Sequence, residues 1–268
     1  MTDIIKDFFE KEKIEYYTVL DYKHLHETNG AIAARAGFVP RAAIVFLIPY
    51  FVSVPKNISR YAASLDYHIV IGEITSALIS ALSEKFPEYS FRGFGDHSPI
   101  DERHAALIGG LGILGDNGLL INEKYGTYVF VADVLTDMPP ELLSAKAPGE
   151  ITLCSHCAAC KRACPTGILK TYEGECLSAI TQRKGELTDE EVELMRKFDT
   201  VWGCDVCQSV CPYNKSPKKT PIEFFYKDRV ELLTTELLDS LSKTEFKSRA
   251  FGWRGKAVVK RNLQKLGY

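Results

Sequence analysis

The sequence predicts a mixed α/β domain at the N-terminus, then a small cysteine-rich α+β domain and a short helical C-terminus. The run Arg41–Tyr50 is β-branched and aromatic throughout, which is typical of a strand buried on both faces. Seven of the eight cysteines lie in two short runs further along the chain. With 268 residues, 46% hydrophobic and 25% charged, the chain can bury a core. We expect domains at 1–145, 150–215 and 216–268.

The N-terminal residues indicate an amphipathic helix. In residues 3–13 the apolar side chains of Ile4, Ile5, Phe8 and Phe9 recur at helical spacing, so this helix is expected to cover the sheet. Its mixture of charged and apolar residues does not resemble a secretion leader, and we expect a cytoplasmic protein. The most apolar run, residues 42–55, is too short and too proline-marked to span a bilayer, so no membrane is expected.

Two ionisable clusters follow the first strand. Asp66, Tyr67 and His68 precede a long helical pattern at 69–86, where Asp66 could simply cap the helix. Asp96 and His97 lie in a glycine-flanked loop, where a side chain can point into a cleft. Ser98, Pro99 and Asp101 resemble a helix start, with Ser98 as the capping hydroxyl, and Glu102 falls in the first turn, where a carboxylate lies near the positive end of the helix dipole.

A glycine-dense segment, 109–118, follows that helix, which should end near Ile108. Gly110, Gly112 and Gly115 match the spacing of a dinucleotide-binding fingerprint. The context disfavours nicotinamide binding, because a true fingerprint follows a strand and opens a helix, whereas this one follows a helix and precedes a predicted strand at 119–121. So many glycines instead provide backbone that can approach a large ligand closely.

The rest of the chain contains one more strand and several helices. Residues 125–137 are rich in strand-forming residues, and prolines in 138–149 suggest a linker. Helices are predicted at 188–197, 231–241 and 255–266. Lys243–Tyr268 contains eight Lys or Arg against one Glu, although the net charge of the chain is −2. This basic segment is either a solvated surface or a face suited to RNA.

The cysteine spacing is the most specific signal. Cys154, Cys157, Cys160 and Cys164-Pro165 form a C-x2-C-x2-C-x3-C-P run, in which three thiolates ligate one iron–sulfur cube and the fourth ligates a second cube. A second run follows, with Cys204, Cys207 and Cys211-Pro212. Together with Cys176 the chain has eight cysteines, the number of ligands that two [4Fe-4S] clusters need. Zinc knuckles and disulfides are the alternatives, but zinc sites use C-x2-C pairs and disulfides suit secreted chains. We therefore predict a ferredoxin-like domain with two clusters.

The reversed spacing of the two runs favours one assignment of ligands. Cluster one would take Cys154, Cys157, Cys160 and Cys211. Cluster two would take Cys204, Cys207, Cys164 and Cys176. Each run therefore lends one ligand to the cluster of the other.

These motifs, in this order, resemble the epoxyqueuosine reductase family. The resemblance rests on Leu65–His68, Asp96–Arg103, Gly110–Asn117 and the two cysteine runs, and it covers roughly residues 40–265. It implies a cobalamin-dependent, two-cluster enzyme of queuosine biosynthesis that removes the epoxide oxygen of epoxyqueuosine in tRNA. It also implies an N-terminal α/β corrinoid-binding domain and a low-potential electron donor of the flavodoxin or ferredoxin type.

Carried over to this sequence, the resemblance makes Asp96 the proton donor. The residues expected at the corrinoid are Asp66, Tyr67, His68, His97, Gly110, Gly112, Gly115 and Asn117. The chain departs from the family pattern at Ala63-Ser64, where Arg-Gly is usual, and at Asp116, where lysine is usual. No segment corresponds to the helical-repeat extension of longer members.

Two other classes of function fit the residues. One is an electron-transfer protein whose ferredoxin-like module is attached to a non-catalytic domain. The other is a corrinoid carrier or reactivating factor that reduces cobalt for a partner. Bound corrinoid would argue against the first, and turnover of a substrate without a partner would argue against the second.

Overall fold

The computed structural model describes residues 2–268, which divide into two compact units. The first unit contains the chain up to Pro49 together with His68–Ser155. The second consists of Tyr50–Tyr67 and His156–Tyr268. Each unit is therefore built from two separated segments of sequence.

The first unit is organised around a four-stranded sheet. The strands are β1 (Tyr17–Asp21), β2 (Ala42–Pro49), β3 (Phe91–Gly95) and β6 (Val129–Thr136). Their order across the sheet is β1-β2-β6-β3, and every neighbouring pair is antiparallel. All eight residues of β2 are buried, as the sequence predicted. The mixed α/β prediction is confirmed, and the strands alternate in direction.

Helices α1 (Thr2–Lys11), α3 (Tyr67–Lys85) and α4 (Glu102–Ile108) pack on this sheet. A further short helix, α2 (Gly30–Ala34), is exposed at its described side chains. The Phe9 ring of α1 lies 5.0 Å from the Phe46 ring of β2, so the predicted amphipathic helix does pack on the sheet. Helix α3 lies against β3 so closely that a Cβ at Gly93 would come within 2.5 Å of the Thr75 Cβ. Glycine is therefore required at that position of the strand.

The start of α4 differs from the prediction. Asp101, not Ser98, caps the helix, because its carboxylate accepts the backbone N–H of His104 at 2.9 Å. An Asp carboxylate at the N-cap also interacts favourably with the positive end of the helix. After α4 the chain forms a two-stranded ribbon of β4 (Ile113–Leu114) and β5 (Leu120–Ile121). The predicted sequence of helix, glycine-rich segment and strand is confirmed.

The second unit is helical. Its α-helices are α5 (Ala159–Ala163), α6 (Ile168–Thr171), α7 (Leu177–Gln182), α8 (Asp189–Lys197), α9 (Val206–Ser209), α10 (Thr235–Ser240), α11 (Lys243–Lys247) and α12 (Lys256–Leu266). Helix α8 begins with the capping box that the sequence predicted, in which Thr188 and Glu191 each accept a backbone N–H of the other. Helix α10 is shorter than the predicted 231–241 segment.

The α+β character expected for the cysteine-rich domain is not observed. Within the described part of residues 150–215 the chain forms short helices and turns, with isolated bridges at Leu153 and Trp202 in place of strands. Cysteines two residues apart and prolines after Cys164 and Cys211 favour tight turns within the two runs. The residues between the runs form the helices α6, α7 and α8. The strand prediction for this domain was therefore wrong.

Asn262 connects several segments of the second unit. It is fully buried, and its Nδ2 donates to the carbonyls of Thr181 at 2.7 Å and Val201 at 2.8 Å. It thus joins α12 to the end of α7 and to the segment that precedes the second cysteine run. The neighbouring core includes Trp202, which is fully buried and donates its indole N–H to the Tyr61 hydroxyl at 3.1 Å.

None of the helices formed by residues 2–268 combines the length and the apolar character needed to cross a membrane.

Replacing Asn262 by Ala should destabilise the second unit. The change leaves two buried carbonyls without donors, at a cost of about 1–3 kcal/mol, which corresponds to a fall in Tm of roughly 2–4 °C per kcal/mol. Thermal unfolding of anaerobic protein measures the effect. Gln264→Ala is the matched control, because it changes an exposed amide on the same helix. Equal Tm values for the two variants would contradict the assigned role of Asn262.

Candidate functional site

The first unit contains a cavity of about 440 Å³ with a predominantly acidic polar lining. Its ionisable side chains are Asp96, Asp101, Glu102 and Arg103. Other lining residues are Thr28, Ser98, Ile100, Gly118, Leu119, Leu120, Thr127, Val129 and Val131. Three carboxylic acids and one guanidinium in a single cavity make it the candidate site of proton chemistry in this unit.

Asp96 stands in the turn directly after β3. Its φ of 63° is in the left-handed region, which is uncommon for residues other than glycine. The Nε2 atom of His68 lies 3.6 Å from the Asp96 Oδ2 atom, and both side chains are about half exposed. The rings of His68 and His97 are stacked with centroids 6.4 Å apart. The structure therefore brings His68 together with Asp96 and His97, which the sequence analysis singled out in two separate segments.

Glu102 has an environment that its position in the first turn of a helix did not indicate. Burial, together with the charges of Asp133 and Asp96, raises the pKa of its carboxyl to about 8. The backbone N–H groups of Asp96 and Ser98 oppose this increase in the pKa. Its Oε1 atom is buried without a hydrogen-bond partner. Helix position alone could not reveal this, because the burial results from β6 and the Asp96 turn.

Asp133 was missed by the sequence analysis. It lies in β6 opposite Phe94 of β3 and is fully buried. Burial raises the pKa of its carboxyl to about 7, and an interaction with the Ser98 hydroxyl opposes that shift. Neither of its oxygens has a partner at normal hydrogen-bond geometry. The available signal was an aspartate inside an otherwise apolar strand, Val129–Thr136.

At one of the three predicted glycines of the loop, the space beside the Cα atom is free. Gly110 has a φ of 75°, and a Cβ there would meet no atom within 4 Å. Gly112 and Gly115 have a different role, because a Cβ would lie 2.6 Å from the Ile121 carbonyl oxygen and 2.5 Å from the Asn117 Oδ1, respectively. Both are needed for internal packing of the loop. The Asn117 Nδ2 is buried without a hydrogen-bond partner.

The loop is hydrogen-bonded to the first predicted cluster ligand. The backbone N–H of Cys154 donates to the Leu114 carbonyl at 2.9 Å, and the N–H of Leu114 donates to Thr152 at 2.8 Å. The Cys154 Sγ also lies within 4.8 Å of an Asp116 carboxylate oxygen. The glycine-rich segment and the start of the cysteine run are therefore fixed to each other by backbone hydrogen bonds.

Asp66 and Tyr67 belong to the second unit. The backbone N–H of Asp66 donates to the Ser248 carbonyl at 2.8 Å, and the ring of Tyr67 packs edge-on against Tyr61 at 6.3 Å. Tyr67 is the first residue of α3, so the predicted junction between loop and helix is confirmed.

Two of the predicted ligands of cluster two act electrostatically on a third, Cys204. Burial raises the pKa of the Cys204 thiol to about 12, and the charges of Cys176 and Cys164 add to the increase. Burial acts in the same direction on Cys164, but N–H donors from Leu169, Thr166 and Gly167 outweigh it and lower the pKa of that thiol. Backbone N–H donors aimed at a sulfur stabilise a thiolate, the form that ligates iron.

A buried ion pair adjoins Cys204. The Arg60 Nη1 lies 3.0 Å from the Asp205 Oδ2, and the backbone N–H of Arg60 donates to the same oxygen at 2.6 Å. Burial still leaves the pKa of Asp205 above its ordinary value. Arg60, Asp205 and Cys204 line a second cavity of about 160 Å³.

Comparison with known proteins identifies the cysteine-rich region and the relatives of the whole chain. Residues 153–214 match the family model of a 4Fe-4S double cluster binding domain. The epoxyqueuosine reductase of Leadbetterella byssophila is 35% identical over 177 residues, which is 64% of this chain and 56% of that protein. The enzyme of Escherichia coli is 32% identical over 230 residues, which is 82% of this chain and 57% of that protein. This chain is a homologue of the epoxyqueuosine reductases. It spans just over half the length of these two relatives.

Solved structures agree on the fold. The epoxyqueuosine reductase of Streptococcus thermophilus superposes with a TM-score of 0.75 at 22% identity, covering 98% of this chain and 80% of that one. A catabolic reductive dehalogenase in complex with 3-bromo-4-hydroxybenzoic acid has a TM-score of 0.51 at 17% identity, covering 98% of this chain and 36% of that one. The chain therefore has the epoxyqueuosine reductase fold, which includes a double-cluster binding domain.

The raised pKa of Glu102 predicts a pH dependence of stability. Between the ordinary pKa of 4.5 and the folded-state pKa of about 8, folded Glu102 keeps a proton that the unfolded chain has lost. The free energy of unfolding should therefore fall as the pH rises through this range. Asp133 acts in the same direction, between 3.8 and about 7.

Glu102→Gln should reduce this loss of stability, because the amide does not titrate. Thermal unfolding between pH 5 and pH 9 under anaerobic conditions measures the slope. Glu84→Gln is the control, because it removes an exposed carboxyl from α3. Identical pH profiles for Glu102→Gln and wild type would show that Glu102 titrates normally.

Proposed function

We propose that this chain is an iron–sulfur and cobalamin-dependent reductase that removes the epoxide oxygen of epoxyqueuosine in tRNA, or acts on a related substrate. The observation that carries the proposal is the backbone connection between the glycine-rich loop and Cys154, in a chain with a double-cluster domain and the fold of epoxyqueuosine reductases. Conversion of an epoxide to an alkene consumes two electrons and two protons and releases water. Two [4Fe-4S] clusters held by the cysteines would conduct the electrons, and the acidic cavity would supply a proton.

The eight cysteines fit two [4Fe-4S] clusters. We assign Cys204, Cys207, Cys164 and Cys176 to cluster two, and the electrostatic effect of Cys164 and Cys176 on the Cys204 thiol supports that set. Cys154, Cys157, Cys160 and Cys211 would hold cluster one, which the spacing favours. The N–H donors around Cys164 stabilise a thiolate and would help set the potential of its cluster.

The first unit has features suited to a corrinoid. Gly110 provides open backbone, and the Asn117 Nδ2 is a spare donor. These two residues, with Gly112, Gly115, His68 and His97, would form the binding surface in this unit, and Asp66 and Tyr67 are the candidates from the preceding segment. Bound cobalamin would supply a cobalt centre that accepts single electrons and reduces the substrate. Asp116, where the family usually has lysine, adds a negative charge to this surface and should weaken contacts with anionic groups of the ligand.

Asp96 is the proposed proton donor to the departing oxygen. It lines the cavity, and the left-handed turn after β3 presents its carboxyl beside His68. A protonated His68 would stabilise the Asp96 carboxylate that remains after proton transfer. His97 stacks on His68 and would limit the rotation of its ring.

The basic C-terminal segment is the proposed contact for tRNA, although part of its charge is used internally. Lys256 and Lys260 both pair with Asp239, and Arg249 donates to the Asp228 carbonyl. Trp253 is 58% exposed, and the Arg254 guanidinium lies 3.9 Å from the centre of its ring. An exposed aromatic ring stacked with arginine suits an unpaired base of an RNA loop.

An external low-potential donor of the flavodoxin or ferredoxin type would supply the electrons. A solved epoxyqueuosine reductase with a tRNA-Tyr epoxyqueuosine-modified stem loop shares this fold, with a TM-score of 0.77 at 21% identity. That complex makes a modified stem loop the first substrate to test.

The test is anaerobic purification with added cobalamin, followed by iron, sulfide and cobalt counts and a turnover assay. We expect about eight irons and eight sulfides per chain. With a low-potential reductant, epoxyqueuosine in a tRNA stem loop should be converted to queuosine. Stoichiometric zinc without sulfide would contradict the cluster assignment. Clusters without bound corrinoid would favour an electron-transfer protein, and cobalt reduction without turnover would favour a reactivating factor.

Asp96→Asn should keep both clusters and any bound corrinoid, because the change is nearly isosteric. Turnover should fall by roughly 10²–10⁴-fold, the loss typical of a missing general acid. Metal counts and single-turnover assays on the same preparation measure the two effects. Asp7→Asn, an exposed position on α1, is the control. Wild-type turnover in Asp96→Asn would remove Asp96 from the mechanism.

A further inference from the structure

We propose that the carboxylate of Asp116 lowers the reduction potential of the iron–sulfur cluster that Cys154 ligates. The inference rests on the cluster assignment proposed above and deepens it, because it concerns the electron that this cluster takes up. It gives a role to an acid of the glycine-rich loop that is not among the residues lining the acidic cavity.

The two side chains lie close together. An Asp116 carboxylate oxygen and the Cys154 Sγ are within 4.8 Å of each other, and both residues are half-buried. The backbone explains this proximity, because the Cys154 N–H donates to the Leu114 carbonyl at 2.9 Å and the Leu114 N–H donates to the Thr152 carbonyl at 2.8 Å. Leu114 and Leu153 also form a parallel bridge. The strand that leads into the loop therefore runs beside the segment that leads into the cysteine run.

The loop holds Asp116 in a defined place. Asp116 is the second residue of a tight turn, which the Gly118 N–H closes by donating to the Gly115 carbonyl at 2.8 Å. The N–H of Gly115 donates to the Leu119 carbonyl at 2.9 Å. From helix α4, the Arg103 Nη1 donates to the Gly118 carbonyl at 2.6 Å. These three hydrogen bonds fix the backbone that carries the carboxylate.

A negative charge beside a cluster opposes its reduction. In this step the external low-potential donor is oxidised by one electron, the cluster is reduced by one electron, and no covalent bond forms or breaks. The cluster becomes more negative by one charge, which a nearby carboxylate repels. The reduction potential is therefore lower with Asp116 ionised than it would be without this charge. Other charges around the loop do not alter the sign of that comparison, because only the charge of Asp116 changes.

A lower potential changes both the filling and the emptying of the cluster. The external donor reduces the cluster less readily, so a donor of low potential is needed. The reduced cluster then passes its electron to the next acceptor with a larger driving force. Asp116 would thus make the cluster at the glycine-rich loop a stronger reductant.

Substitutions at this position separate charge from structure. Asp116→Asn removes the charge, and asparagine is equally suited to a tight turn. Asp116→Glu keeps the charge, and Asp116→Lys reverses it. Glu150→Gln is the matched control, because it removes one carboxylate from an exposed position in the segment that precedes Cys154.

The measurement is a potentiometric titration of the anaerobically reconstituted full chain, followed by electron paramagnetic resonance. A pH of about 8.5 is used, because histidine side chains are generally neutral there. Iron and sulfide counts on each variant establish that both clusters are present. Cys154→Ser alters a ligand of cluster one and so identifies the signal of that cluster.

Asp116→Asn should raise the potential of cluster one and leave that of cluster two nearly unchanged. We expect the ratio of reduced to oxidised cluster at a fixed potential to rise roughly tenfold, which is about 59 mV for a one-electron couple. Solvent screens part of the charge because both side chains are only half-buried, and this limits the shift. Asp116→Lys should shift the potential further in the same direction. Asp116→Glu and Glu150→Gln should match wild type.

Three results would overturn the inference: an unchanged potential in Asp116→Asn with both clusters present, an equal shift in Glu150→Gln, or a shift in Asp116→Glu as large as that in Asp116→Asn. If Asp116→Asn loses iron, Asp116→Ser removes the charge in its place, because serine also suits a turn. A wild-type protein without clusters would contradict the cluster assignment and this inference together. The expected shift without turnover of the epoxyqueuosine stem loop would contradict only the proposed substrate.

Discussion

The pairing of β6 with both β2 and β3 is the constraint on which the candidate site depends. A strand bonded on both sides buries its residues, and in this chain that includes the carboxyl of Asp133. The register of β3 against β6 then fixes the position of Asp96, because Gly95 pairs with Ala132 and Asp96 follows in the next turn. The burial of Asp133 in the sheet and the exposure of Asp96 to the cavity thus both result from this strand pairing. The raised pKa of Glu102 follows from its closeness to both.

The sequence was most informative where spacing alone dictates chemistry or structure. The cysteine runs predicted a double-cluster domain, and an uninterrupted apolar run predicted β2, because neither inference needs knowledge of distant residues. Asp96 could be singled out because glycines flank it. The cap of α4 was misassigned because Ser98 and Asp101 are both good capping residues, and only backbone geometry distinguishes them.

The roles of Glu102 and Asp133 could not be predicted from local sequence. Their properties come from burial and mutual charge between residues 31 positions apart, which the pairing of strands brings about. The same limit applies to the basic C-terminus. Its composition suggested a single positive face, yet Lys256 and Lys260 share the carboxylate of Asp239, and Arg261 donates to the carbonyl of Arg183. Charge counts along a chain do not report which charges are already paired.

Tyr50–Tyr67 belongs to the second unit although it lies early in the sequence, and this has a consequence for synthesis on the ribosome. Asn57 bonds to Leu233 in both directions, and Ile58 bridges Trp202, so this early segment finds its partners only after about 140–180 further residues have been made. The first unit, by contrast, has all its strands once Thr136 has emerged. The nascent chain must therefore keep this segment unpaired until Leu233 has been made, and this interval is when chaperone binding would matter most.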